Sequence, residues 1–369
     1  MRKTSKQSAM QYLLAVAAVI SVLVLVSGGA QAQVGQGPPQ EISSSLGRWV
    51  RLAPMPEKNE EFNFATANNK LYVIGGNGDG PKGLVMEYDP AADKWTKKKN
   101  LPFTADHMAV TEYNGKIYAF GGATQSQAAG PGNIALNTSW EYDPVADSWK
   151  SLAPMPTRRV SAVAAAVGGK IYVLGGAGHH PGAKDLAAPI GGNTPHRSLD
   201  ANEAYDPATN RWETRMTMPT PRNHAAIGVA NNKIYVIGGR VASVFVVPSN
   251  NVDVVEEYDP ATDSWGASKA RMPIATSGAA FGSYRGKIYV AGGESQNPEG
   301  LTAYRALQEY DAAANRWTIL PSMPLPRNGP AGAVVGSRFH VVSGHLQSGS
   351  IGGPQLNTEQ HDAFELRGR

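Results

Sequence analysis

The 369-residue chain carries 34 Lys and Arg against 30 Asp and Glu, with 41 Gly, 26 Pro and no Cys. The basic excess stems mostly from Arg2, Lys3 and Lys6; without them 31 basic residues face 30 acidic ones and no basic run interleaves with aromatics, so nothing marks a nucleic-acid partner. The missing cysteine excludes disulfides, a thiolate metal site and a lipid-modified cysteine behind a leader.

Those three cations fall in Met1–Gln7, Tyr12–Val26 is apolar apart from Ser21, and Ala30-Gln31-Ala32 has small residues at its first and third positions. This is the pattern of a secretory signal peptide over 1–32, cleaved after Ala32, and it predicts a secreted or periplasmic protein. The 15-residue apolar run is shorter than the ~20 a spanning helix needs, so no membrane span is expected after cleavage; an uncleaved anchor is the alternative. The Gly/Pro/Ser/Gln-rich stretch that follows reads as a flexible leader, 33–47.

Arg48–Leu52 is the first expected strand and stops at Pro54-Met55-Pro56, a turn signal that returns at Pro154-Met155-Pro156, Met218-Pro219, Met272-Pro273 and Met323-Pro324. Lys70–Gly76 (KLYVIGG) is an apolar run closing on two glycines. It recurs at Lys116–Gly122, Lys170–Gly176, Lys233–Gly239, Lys287–Gly293 and, as RFHVVSG, at Arg338–Gly344. Trp49, Trp95, Trp149, Trp212, Trp265 and Trp317 each precede one copy by 26 residues, counted to the first residue of the closing pair, or 27 in the fifth. Successive tryptophans lie 46, 54, 63, 53 and 52 apart. A period near fifty with a fixed internal interval marks one supersecondary unit repeated, and stacked repeats make 48–369 a single folding body.

The second unit is representative. It predicts strand A at His107–Tyr113, a turn at Asn114-Gly115, strand B at Lys116–Phe120, strand C at Thr138–Tyr142 and strand D at Ser148–Leu152. Asn-Gly between apolar runs signals a hairpin, because both turn positions need φ > 0. Strand C ends in Tyr-Asp-Pro at Tyr88, Tyr142, Tyr205 and Tyr258, and in Tyr-Asp-Ala at Tyr310. Four short antiparallel strands repeated about an axis make an all-β propeller. The apolar run into Gly-Gly, the Tyr-Asp-Pro and the following Trp resemble the kelch repeat, from Trp49 to about Phe364. Six A–B hairpins predict six blades. The first Trp precedes the first hairpin and no Trp follows the sixth, so the ring is expected to close by pairing Arg48–Leu52 with the C-terminal blade, whose strand C is placed at Asn357–Asp362.

The resemblance implies that the D–A and B–C connections surround one mouth of a central channel. Strand A starts at Glu61, His107, Ser161, His224, Gly278 and Gly329, preceded by Glu60, Asp106, Arg159, Arg222-Asn223, Ser277 and Arg327-Asn328. This polar set over Ala/Val/Gly strands suits a binding mouth. The candidate ligand-binding residues are Glu61, His107, Arg159, Arg222, Asn223, His224, Arg327 and Asn328, with Arg240 and Glu294 directly after two glycine pairs. The three arginines predict an anionic sugar or acidic peptide as ligand. The third B–C loop, Ala177–Leu199, holds His179, His180 and His196, but no ligand spacing recurs, and neither a metal nor a cofactor is assigned. His340 and His361 stand where other blades are read to have Tyr.

Galactose oxidase-like copper enzymes need a cysteine cross-linked to a tyrosine, which this chain cannot supply. The chain also resembles, more distantly, periplasmic sialic-acid mutarotases (N-acetylneuraminate epimerases), which carry a Glu and an Arg in a loop after a glycine pair. That resemblance implies Glu294 as general acid/base with Arg305 or Arg222 as carboxylate clamp. The expected function is a secreted propeller binding a carbohydrate or protein ligand at its loop face, with a mutarotase-like isomerase as the alternative.

Overall fold

The computed structural model describes residues 43–44, 46–76, 83–125, 133–180, 182–186, 188–190, 196–241, 250–297, 300–349 and 356–366. The expected signal peptide and most of the leader lie outside them. Among the described residues no helix is long and apolar enough to cross a membrane.

The chain forms six antiparallel blades. In the first, Phe62–Ala67, Lys70–Gly75, Val85–Asp89 and Lys94–Lys97 lie side by side in order A to D. The A–B turns work as anticipated: Asn68 and Asn69 (φ 52° and 59°), and Asn114 and Gly115 (φ 51° and 75°), take the left-handed conformations a tight hairpin demands. The glycine pairs after strand B mark where neighbouring blades nearly touch. A Cβ on Gly121 would sit 2.6 Å from the Arg159 carbonyl, and one on Gly175 would sit 2.6 Å from that of Arg222. In the sixth blade Ser343 replaces the first glycine at φ 56°, and its hydroxyl donates to the Asn59 and Thr358 carbonyls.

In the first five blades the Tyr and Trp pack as tilted rings, as in Tyr88–Trp95 with centroids 5.0 Å apart and planes at 44°. They also form a clamp between blades. The Trp95 indole donates to the Ala53 carbonyl while Asp93, in the C–D turn, accepts the Ala53 N–H and the Tyr88 hydroxyl. Trp149 with Asp147 grips Lys99 in the same way, Trp212 with Asn210 grips Ala153, Trp265 with Asp263 grips Met216, and Trp317 with Asn315 grips Ala270.

The ring closes as expected: Gly47–Leu52 is the outer strand of the last blade, beside His361–Glu365, Arg338–Val342 and Ala331–Val335. Two details differ. Strand C of this blade is His361–Glu365, three residues beyond the expected end, so Phe364 takes the place of the tyrosine and packs on Trp49 with centroids 5.3 Å apart. His361 therefore faces Val342, as Val85 faces Ile74 in the first blade; only His340 occupies a tyrosine position. The end of the expected leader also joins the sheet, because Ser43–Ser44 pairs back on Gly47 and Arg48.

Strands A line the channel. Phe64 and Phe281 meet across it with centroids 4.8 Å apart, and they line both the chamber under the loop face and the one beyond.

Candidate functional site

The mouth is built on a ring of one residue per blade: Glu61, His107, Ser161, His224, Gly278 and Gly329. All six are left-handed, with φ between 51° and 62°. Five links of a circle of backbone hydrogen bonds join them: Glu61 N to Gly329 O, Ser161 N to His107 O, His224 N to Ser161 O, Gly278 N to His224 O, and Gly329 N to Gly278 O. Non-glycine residues rarely adopt this conformation, and here the circle over-determines it. The ring presents four polar side chains on the first four blades and none on the fifth and sixth, where a Cβ on Gly278 would sit 2.8 Å from Asn328 Oδ1 and one on Gly329 would sit 2.9 Å from the Glu61 nitrogen. One residue outward, Asp106, Asn223, Ser277 and Asn328 bridge to Ala123, Arg240, Glu294 and His345, the residues directly after the glycine pairs.

His107 sits between two carboxylates, its Nδ1 2.5 Å from Asp106 Oδ1 and its Nε2 3.2 Å from Glu61 Oε2. Burial opposes its charge, but Glu61 and Asp106 outweigh burial and raise it to about 9. His224 lies edge-on to it, with ring centroids 5.2 Å apart. Its Nδ1 meets Asn223 Oδ1 at 2.6 Å, and its Nε2 meets Ser161 Oγ at 3.1 Å and Arg240 Nη2 at 3.0 Å. Burial, then Arg240 and His107, hold it well below the ordinary histidine range. Glu60 is buried, and its carboxyl has no hydrogen bond among the described residues; Oε2 lies 3.9 Å from Nδ1 of the buried His345. Burial, followed by Glu61, pushes Glu60 up to about 8.

Glu294, 2% exposed, spends both oxygens on four donors. Oε1 takes Arg240 Nη1 at 2.6 Å and Gln296 Nε2 at 2.7 Å; Oε2 takes Ser348 Oγ at 2.7 Å and Gly349 N at 2.8 Å. That uses the acceptor capacity of a carboxylate, so the geometry makes Glu294 a holder of Arg240 and leaves no lone pair for a substrate proton. Its guanidinium partner is Arg240, and of the two arginines expected to clamp a carboxylate, Arg222 is buried on Glu256. Arg305 is exposed and donates to the Met323 carbonyl.

Arg159, Arg222 and Arg327 are not at the mouth surface. All three are fully buried and pair inside their own blades with Glu203, Glu256 and Asp362, while donating to backbone carbonyls such as Ala201, Val236 and Val341. They brace the loop ends on which the ring stands, so the anion-binding role expected of them has no exposed group to act through. The repeat carried the signal: an acid is the second residue of strand C in each blade with this arginine, whereas the first, second and fifth blades have Met86, Trp140 and Gln308 there. Asn223 and Asn328 are likewise buried. In the third loop, His179 is tied to the Ala188 carbonyl and His196 is buried. Three of the residues expected to bind ligand do converge, in a way their spacing did not announce: one donor atom each from Glu61, His107 and His224 falls within 4.8 Å of the other two.

Comparisons with known proteins follow the repeat. The Kelch motif matches residues 61–102, 106–156 and 221–265, and a second Kelch motif profile matches 275–324. The chain is 26% identical over 363 residues to Kelch-like protein terF of Aspergillus terreus, spanning 94% of this chain and 74% of that protein. It is 25% identical to Kelch-like protein 36 of Mus musculus, spanning 42% of that protein's length, and 27% identical to Beta-scruin of Limulus polyphemus, spanning 20%. A solved structure titled "Structure of YjhT" superposes with a TM-score of 0.67 at 19% identity, covering 84% of this chain and 95% of the other.

Proposed function

Since the chain belongs to the kelch-repeat propellers, we propose that it acts outside the cytoplasm as a small-molecule isomerase of the mutarotase kind, with the channel mouth as its site and a reducing sugar as its substrate. The observation that carries this reading is the convergence of Glu61, His107 and His224 on one recessed ring, closed from below by Phe64 and Phe281, with the buried Glu60 one residue outward. Burying ionisable groups is costly. A face that only docks proteins gains little from sinking them below its surface, whereas proton transfer benefits from groups held out of water.

Interconverting anomers requires a proton to leave the anomeric hydroxyl and one to reach the ring oxygen as the C1–O5 bond breaks; rotation and reclosure on the other face reverse both transfers. We assign the proton traffic to the Glu60 carboxyl, which is free of hydrogen bonds among the described residues. Ser161 and Arg240 offer donors to sugar hydroxyls, and Glu294 fixes Arg240.

A non-catalytic carbohydrate- or peptide-binding module is the second reading. It is favoured by the small hairpins Ala123–Gln125 with Asn133–Ala135 and Glu294–Asn297 with Gly300–Ala303, which extend the B–C loops into walls. A thermal-shift panel of sialic acid, uronic acids, neutral reducing sugars, their methyl glycosides and peptides tests the ligand class on wild type and on Ser161→Ala. Stabilisation by reducing sugars that weakens in Ser161→Ala is the expected result; stabilisation by peptides alone removes the isomerase reading.

A further inference from the structure

Acidic side chains surround His107: Glu61 and Asp106 touch it and Glu294 holds Arg240 nearby, while Arg159, Arg222 and Arg327 are already matched by Glu203, Glu256 and Asp362. In this field a Glu61 oxygen and one ring nitrogen each from His107 and His224 converge to within 4.8 Å. Both imidazoles are held as metal-bound histidines are. Each engages, through Nδ1, an oxygen of the residue before it, Asp106 at 2.5 Å and Asn223 at 2.6 Å, which fixes the ring and turns Nε2 toward the other ring residues. Donors around a tetrahedral ion with ligands at about 2.1 Å lie roughly 3.4 Å apart. Glu61 Oε2 and His107 Nε2, at 3.2 Å, already meet that spacing. All three residues line the chamber above the Phe64–Phe281 pair, where further coordination positions stay open.

We propose that Glu61, His107 and His224 bind one divalent transition-metal ion, with Zn²⁺ the match to two imidazoles and a carboxylate, and that Asp106 and Asn223 orient the two histidines for it. The three ligands come from three different blades, so no local sequence spacing announces them. The ion displaces the contacts that His224 Nε2 makes with Ser161 and Arg240, which sets Arg240 in competition with the metal. The site goes beyond the isomerase reading and stands whether or not the ligand is a sugar. An ion there would act as a Lewis acid on a ligand oxygen.

The test uses the untagged mature chain, stripped with chelator and dialysed against Zn²⁺, with Co²⁺ as a spectroscopic probe. The stripped wild type should take up one equivalent of Zn²⁺ and develop visible Co²⁺ absorption. His107→Asn and His224→Asn should abolish both at an unchanged melting temperature. Asp106→Asn should weaken Zn²⁺ binding about 10–100-fold, and Arg240→Met should tighten it. If a histidine variant melts early, Asp106→Asn decides, since it leaves the ring residues and the Arg240–Glu294 pair in place. Uptake below one equivalent by wild type, or binding unchanged in Asp106→Asn, overturns the assignment.

Discussion

Glu294 of the fifth blade holds Arg240 of the fourth at 2.6 Å, and Arg240 in turn lies 3.0 Å from His224 Nε2. The pair ties two blades at the mouth and points a guanidinium at the ring. Removing one partner strands the other in a largely buried place, which costs about 3–5 kcal/mol. Glu294→Ala should therefore lower the urea midpoint more than the double variant Glu294→Ala/Arg240→Ala does relative to Arg240→Ala alone. Additive losses would show that the two residues are not coupled.

Closure rests on Trp49, whose indole donates to the Pro321 carbonyl at 2.7 Å. In the other five clamps the gripped residue also offers an N–H to an Asp or Asn of the C–D turn; Pro321 has none to offer, and this blade has no C–D turn because its strand D comes from the other end of the chain. Trp49→Ala should cost ~3–5 kcal/mol, a large share of a typical domain's stability. Deleting the strand should yield aggregated or unfolded protein. An unchanged denaturation midpoint for either variant would contradict closure by this strand.

The seam also carries an acid weakness. His340 Nδ1 and His361 Nε2 lie 2.9 Å apart, and burial pushes His340 down to about 4 and His361 well below its ordinary value. Both folded-state values are depressed, so the unfolded chain binds protons first. The neutral-pH stability is complete above about 6.5 and is lost as pH falls toward 4. His340→Phe should reduce the stability difference between neutral and mildly acid pH by about 2 kcal/mol. Parallel pH profiles for variant and wild type would rule this out.

Export makes its own prediction. Mass spectrometry of the protein recovered from its producing cells should find an N-terminus at Gln33. Intact Met1 on membrane-embedded material would favour an uncleaved anchor.

The repeat, the blade count and the closing strand were legible because each rests on contacts that recur at fixed spacing: Asn114-Gly115 turns a hairpin, Gly121 admits a neighbouring carbonyl, Trp95 clamps Ala53. The register of the last strand was not, since the Asp that follows the tyrosine in the other blades is missing after Phe364; counting from Trp49, which must face an aromatic, would have found it. The ring positions were legible as a register, but the fate of their side chains was not. Arg159 and His107 both stand beside the start of strand A, and only the acid across the blade at Glu203 tells that the arginine is taken inward. The Glu61–His107–His224 group exists only through the circular arrangement.

The central claim is that the mouth moves protons on a reducing sugar, and two-dimensional exchange NMR measures this directly. Pure wild-type protein should speed α/β anomer exchange of a sugar identified in the thermal-shift panel. Glu60→Gln should lose nearly all of that acceleration while still binding the sugar. Exchange at the uncatalysed rate with wild type, or acceleration undiminished in Glu60→Gln, would contradict the account.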